Sequence, residues 1–121
     1  MEKKYIIGID LGGMSAKGGL FSQNGELLAE EKIVTQTSDG FEGTLQKLAE
    51  LSKNLLSNNN IDYSDLLAVG VGSPGVVDSK NGIVLRWTNY GWDNVPLAKR
   101  LSELTGREVA VANDANVAAL G

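Results

Sequence analysis

Cysteine and histidine are both absent from the 121 residues. Without cysteine there is no disulfide and no thiolate metal site, and the chain suits a reducing, cytoplasmic compartment. Without histidine there is no imidazole base, no Ser-His triad and no histidine-held metal. A general base would have to be a carboxylate, a lysine or a tyrosine. Basic clusters are missing too: none exceeds the pairs Lys3-Lys4 and Lys99-Arg100, in a chain of formal net charge -4. That argues against a nucleic-acid partner, which asks for a basic face. Apolar runs are short. Leu66 to Val71 falls far below the length that spans a bilayer, so no membrane partner is expected. Met1 is followed at once by Glu2 and a strand-like run, which is not the pattern of a secretory signal.

What is present fits one domain with a buried core: 42% of residues are hydrophobic and 21% charged. Tyr5 to Ile9 reads as a buried strand that stops at Asp10-Leu11-Gly12-Gly13. Ala16 to Phe21 reads as a second strand. Asn24-Gly25 between apolar runs predicts a type I′ hairpin turn, with Leu27 to Thr35 returning. Asp39 followed by Glu42 has the spacing of a capping box. Phe41, Leu45, Leu48, Leu55 and Leu56 then predict an amphipathic helix that fades at Ser57 to Asn60. Leu66 to Val71 is a buried strand, broken at Ser73-Pro74-Gly75. Ile83 to Leu85 resumes after a turn at Ser79 to Gly82. Pro96 opens a helix carrying Leu97, Leu101 and Leu104, with Gly106 as its stop. Val109 to Ala112 is the last strand, and a helix is expected from Ala115. The order β-β-β-α-β-(β)-α-β-α implies a mixed sheet with flanking helices. Because the sequence ends just as that last helix begins, a fragment of a longer protein is expected.

Four segments carry chemistry. Asp10-Leu11-Gly12-Gly13 lies between strands, where two glycines let backbone N–H groups approach an anion. Asp10 beside a phosphate makes sense with Mg²⁺ between them, and Lys17 could add positive charge. The plain alternative is a glycine turn with a solvated aspartate. Gly70-Val71-Gly72-Ser73-Pro74-Gly75 matches G-x-G-x-x-G after a strand, but a second turn signal follows instead of a helix, which argues against a dinucleotide site. Thr88-Asn89-Tyr90-Gly91-Trp92-Asp93 mixes amide, hydroxyl and aromatic groups. It suits a carbohydrate, or equally a surface loop around a half-buried Trp92. Asn113-Asp114 falls where a strand gives way to a helix. Asp114 is either a helix cap or an ionised carboxylate able to take a proton from an attacking hydroxyl.

Taken together these segments are more specific than any one. Asp10-x-Gly12-Gly13-x-x-x-Lys17 resembles the first phosphate motif of the sugar-kinase, actin and Hsp70 superfamily. Gly70 to Asp78, then Gly82, then Thr88 to Leu97, and Asn113 to Gly121, resemble the pattern of the ROK family (repressors, open reading frames and kinases). The resemblance covers Tyr5 to Gly121. It implies a ribonuclease H-like, actin-like ATPase lobe with a mixed five-stranded sheet. Residues 1–121 would form the amino-terminal, sugar- and phosphate-binding lobe of a two-lobe hexose kinase that moves the γ-phosphate of ATP to a sugar hydroxyl.

By the same likeness Asp114 would be the catalytic base. Gly75, Val76, Thr88, Asn89 and Asn113 would hold the sugar. Gly12, Gly13 and Lys17 would face the phosphates of ATP, with Asp10 acting indirectly on Mg²⁺. A carboxyl-terminal lobe would add the adenosine loop, further Glu and His sugar ligands and a zinc site. The parent is expected to be a homodimer, and residues 1–121 alone to be inactive. Where the family usually has threonine after the two glycines, this chain has Met14, so one hydroxyl donor to phosphate is lost. Two other readings stay open: a sugar-sensing ROK transcriptional regulator, and a non-catalytic binding module. Regulators carry a helix-turn-helix ahead of the first strand, for which the residues before Tyr5 leave no room.

Overall fold

The computed structural model describes residues 4–113. Strands β1 (Tyr5–Leu11), β2 (Ser15–Ser22) and β3 (Leu27–Val34) form an antiparallel meander. Helix α1 (Gly40–Ser57) crosses to β4 (Leu66–Ser73), which lies parallel to β1. Three short strands follow: β5 (Val76–Asp78), β6 (Ile83–Trp87) and β7 (Trp92–Val95). Helix α2 (Leu97–Thr105) then leads to β8 (Glu108–Asn113), parallel to β4. The main sheet has five strands in the order β3-β2-β1-β4-β8, as the mixed-sheet reading requires. The second sheet, β5-β6-β7, was legible only as one strand at Ile83 to Leu85.

Alternation decides which face is covered. Ile7, Ile9 and Leu11 of β1 are buried with Leu45, Leu48, Leu51 and Leu55 of α1 and with Leu97 and Leu101 of α2. Each such leucine contributes about 1.5–3 kcal/mol on burial, so this apolar layer dominates the stability of the domain. The close seat of α1 depends on Gly18. A Cβ there would lie 2.9 Å from Leu55 Cδ1 and 3.0 Å from Leu51 Cδ2. Arg100 of α2 ties the two helices together through Glu42 of α1 at 2.7 Å.

Two local expectations are corrected. The Asn24-Gly25 turn is not type I′, because only Gly25 has positive φ (+89°), whereas type I′ needs it at both residues. The Gly25 N–H instead donates to the Ser22 carbonyl and the Ser22 N–H to the Glu26 carbonyl, both at 2.9 Å. This is the three-residue hairpin in which a turn is followed by a left-handed glycine. The Asp39–Glu42 capping box does not form either. The Asp39 carboxylate accepts from the Gln36 N–H at 3.0 Å and from Lys47 Nζ at 2.8 Å, one turn earlier, while Glu42 is taken by Arg100. At α2 the signals hold. Pro96 is the N-cap, Gly106 is the left-handed C-cap, and the Gly82 carbonyl accepts the Ala98 N–H at 3.0 Å.

Candidate functional site

Parallel pairing makes β1, β4 and β8 end along one edge of the sheet. Asp10 sits beside Gly72, Gly72 beside Ala112, and Ser73 beside Asn113. The turn Gly12-Gly13, the loop Pro74-Gly75 and Asn113 therefore leave the same edge. In open α/β sheets that carboxyl edge is where ligands bind. Asp114 lies outside the described residues, and its neighbour Asn113 is the last described residue on that edge.

The glycine turn is closed by the Gly12 N–H donating to the Ser15 carbonyl at 2.8 Å. At Gly13 a Cβ would meet nothing within 4 Å, so the backbone is open to an approaching group. The N–H groups of Gly13 and Met14 have no acceptor among the described residues. Adjacent donors of that kind at an exposed turn suit an anion. The Met14 side chain is 81% exposed and brings no donor of its own.

Asp10 and Lys17 face each other across β1 and β2. They line a cleft of about 470 Å³ with Gly12, Ser15, Glu30, Glu31 and Lys32. Lys17, read as a possible source of positive charge, has a partner in this cleft. Its ammonium pairs with Glu30 at 2.7 Å, and that hydrogen bond, with the Glu30 charge, holds the lysine above its ordinary pKa. The Glu31 carboxylate lies on the α1 side of the sheet, where it accepts from the Asn58 amide at 2.9 Å, so Asp10 and Glu30 face Lys17 and Lys32 on the cleft wall with no excess charge. The spacing reading missed Glu30, because it comes from β3, antiparallel to β2. The register Gly19↔Glu30 sets Glu30 on the same face as Lys17, and no local motif encodes it.

On the other flank, Gly75 has φ +86°, and a Cβ there would lie 2.2 Å from the Arg86 carbonyl oxygen. Only glycine fits this closely against β6. Its carbonyl accepts the Asn113 side-chain N–H at 2.7 Å, which ties the β4 loop to the end of β8. Val76 beyond it is 57% exposed. Thr88 and Asn89 are exposed in a helical turn between β6 and β7. Beneath them lies an aromatic cluster. Trp87 stacks on Tyr90 with ring centroids 3.9 Å apart, and Trp92 meets both edge-on. Trp92 also meets Phe41 of α1 at 5.2 Å and is buried, not half-buried as read from the sequence. Gly70 to Gly75 runs from β4 into β5. A dinucleotide fingerprint needs a helix there.

The Tyr90 hydroxyl joins the two flanks. It donates to the Gly13 carbonyl at 2.9 Å and lies 2.8 Å from the Thr35 hydroxyl, which can donate to it in turn. The Thr35 N–H also donates to the Met14 carbonyl at 3.1 Å. The expected groups thus gather at one end of the fold: Asp10, Gly12, Gly13 and Lys17 on one side, Gly75, Val76 and Asn113 on the other. Thr88 and Asn89 adjoin the tyrosine that links them.

An antiparallel meander running into parallel β1, β4 and β8, with helical crossovers, is the ribonuclease H-like lobe of the actin-like ATPase superfamily. Within that class the chain belongs to the ROK family, whose sequence profile matches residues 6–121. It is 34% identical to a glucokinase of Halalkalibacterium halodurans over the whole of this chain and 37% of that protein. It superposes on a ROK family glucokinase from Streptomyces griseus, solved with glucose and AMPPNP, with a TM-score of 0.80. That match has 31% identity and covers 95% of this chain and 35% of the other. A ROK family transcriptional regulator, a homologue of the E. coli Mlc protein, also matches with a TM-score of 0.80, at 26% identity over 96% of this chain and 29% of its own. The chain therefore spans little more than a third of the length of its curated glucokinase relative.

Proposed function

We propose that residues 1–121 are the amino-terminal lobe of a two-lobe, ATP-dependent hexose kinase, and that this lobe holds the sugar and the transferred phosphoryl group. The observation that carries this reading is the shared edge. The glycine turn after β1, the Gly75 loop after β4 and Asn113 at the end of β8 open together. Phosphoryl transfer demands above all that donor and acceptor be aligned and charge neutralised, and a shared edge provides the alignment.

In this scheme the Gly13 and Met14 N–H groups meet the γ-phosphate side of ATP. Gly75, Val76, Thr88, Asn89 and Asn113 surround the sugar. Asp114, next in sequence to Asn113, takes the proton of the attacking hydroxyl, a role open to a carboxylate in a chain without histidine. The residues present fit Mg²⁺ in one way only. No group of three or more potential metal-holding side chains occurs among the described residues. Asp10 is a single exposed carboxylate, suited to a cation carried mainly by phosphates and water. When bound, that cation would neutralise phosphate charge, which the cleft, with Lys17 already paired to Glu30, does not do alone. Zinc has no Cys or His to hold it in this chain.

Asp114→Asn in the full-length protein tests the reading. Hexose-dependent ATP turnover should fall by orders of magnitude while sugar binding persists. Undiminished turnover would remove Asp114 from its role. A wild type that binds sugar but never turns over ATP would favour the sensor reading, which the regulator of equal TM-score keeps alive. Residues 1–121 alone are expected to show no turnover.

A further inference from the structure

We propose that Tyr90 is a positioning residue that fixes the phosphate-side glycine turn to the sugar-side loop, so that sugar and ATP meet in register; this rests on the kinase reading above. Tyr90 is 77 positions from Gly13 in sequence, yet its hydroxyl reaches the Gly13 carbonyl at 2.9 Å. That carbonyl belongs to the peptide whose N–H is on Met14. A trans peptide sends the two in opposite directions, so holding the carbonyl sets the direction of the Met14 N–H. The next carbonyl, on Met14, is held by the Thr35 N–H at 3.1 Å. The Met14 side chain contributes no donor, so anion recognition at this turn depends on the backbone and on whatever orients it.

The other end of the tether is rigid. The Tyr90 ring lies flat on Trp87, with 6° between planes, and Trp87 immediately precedes Thr88 and Asn89. Thr35, which supports the hydroxyl, is 2% exposed. A shift of the Thr88–Tyr90 turn on sugar binding is therefore transmitted to Gly13 through one hydroxyl, and the reverse holds for phosphate. Such coupling is reciprocal by linkage.

Tyr90→Phe in the full-length protein isolates the hydroxyl, because phenylalanine keeps the stack on Trp87. Sugar affinity by calorimetry should stay within about twofold of wild type, while kcat/KM for ATP falls about fivefold, the loss of one net hydrogen bond. The factor by which sugar tightens AMPPNP binding should shrink toward one. Thr35→Val, which spares the backbone bond to Met14, should weaken ATP use in the same direction, and the double variant should lose less than the sum. Tyr90→Phe matching wild type in kcat/KM for ATP and in sugar–nucleotide coupling would overturn the proposal alone. So would equal losses for sugar and ATP that track a lowered melting temperature, since that marks a merely structural role. A wild type with no ATP turnover and no AMPPNP binding would overturn the kinase reading, and this proposal with it.

Discussion

Gly75→Ala is the sharpest stability test of the second sheet. A methyl group at this position would stand 2.2 Å from the Arg86 carbonyl oxygen and 3.2 Å from Trp87 Cα. Both are backbone atoms of β6 and cannot rotate aside. Ordinary contact begins at 3.4 Å, so the Gly75 loop and β6 must part by roughly 1 Å. Overpacking of this kind costs about 1–3 kcal/mol. The left-handed backbone at φ +86° adds about 1 kcal/mol or more for an L-residue. Displacing the Gly75 carbonyl from the Asn113 amide removes about 1 kcal/mol. Together these come to roughly 3–5 kcal/mol, a large share of the whole stability of a small domain. Thermal unfolding followed by circular dichroism should show the midpoint falling by about 10 °C or more. Gly13→Ala is the control: its Cβ meets nothing within 4 Å, so its midpoint should move little. If Gly75→Ala melts within about 2 °C of wild type, the close approach of the Gly75 backbone to β6 described above is wrong.

Two further outcomes are expected. Asp39 is held below the ordinary carboxylate pKa by its hydrogen bond from Lys47, with the Gln36 N–H adding to it. A depressed folded pKa contributes stability above the unfolded value, about 4, that is lost as pH falls through the folded one. Asp39→Asn should therefore lower the melting midpoint at neutral pH and flatten its decline below pH ~4, as paired acid titrations of the two proteins would reveal. Glu30→Gln releases Lys17 from its 2.7 Å partner and removes one negative charge from the cleft. Stability should barely change, since exposed pairs contribute little. On the kinase reading, KM for ATP should drop a few-fold at low salt and converge with wild type at high salt.

Much of this arrangement was written locally. The alternation of Ile7, Ile9 and Leu11, the leucine spacing of α1, and Pro96 and Gly106 around α2 each encode their element within a few residues. The errors came where a distant partner decided the outcome. Asp39 could cap its helix with Glu42 or answer Lys47, and Lys47 prevailed. Trp92 read as half-buried until Phe41, Trp87 and Tyr90 closed around it. The Glu30 partner of Lys17 was not read at all, because only the register of β2 on β3 brings it there. The candidate site was legible as four separate segments. That Gly75 would bind Asn113, and Tyr90 reach Gly13, depended on sequence separations of 38 and 77, which no periodicity carries.

The sequence contains two tryptophans, Trp87 and Trp92, and they bracket the Thr88–Tyr90 turn with ring centroids 5.0 Å apart. Any ligand that shifts this turn must change the surroundings of both indoles at once. The chain thus has its own optical reporter for the carbohydrate flank, readable from native emission without a label or a coupled enzyme.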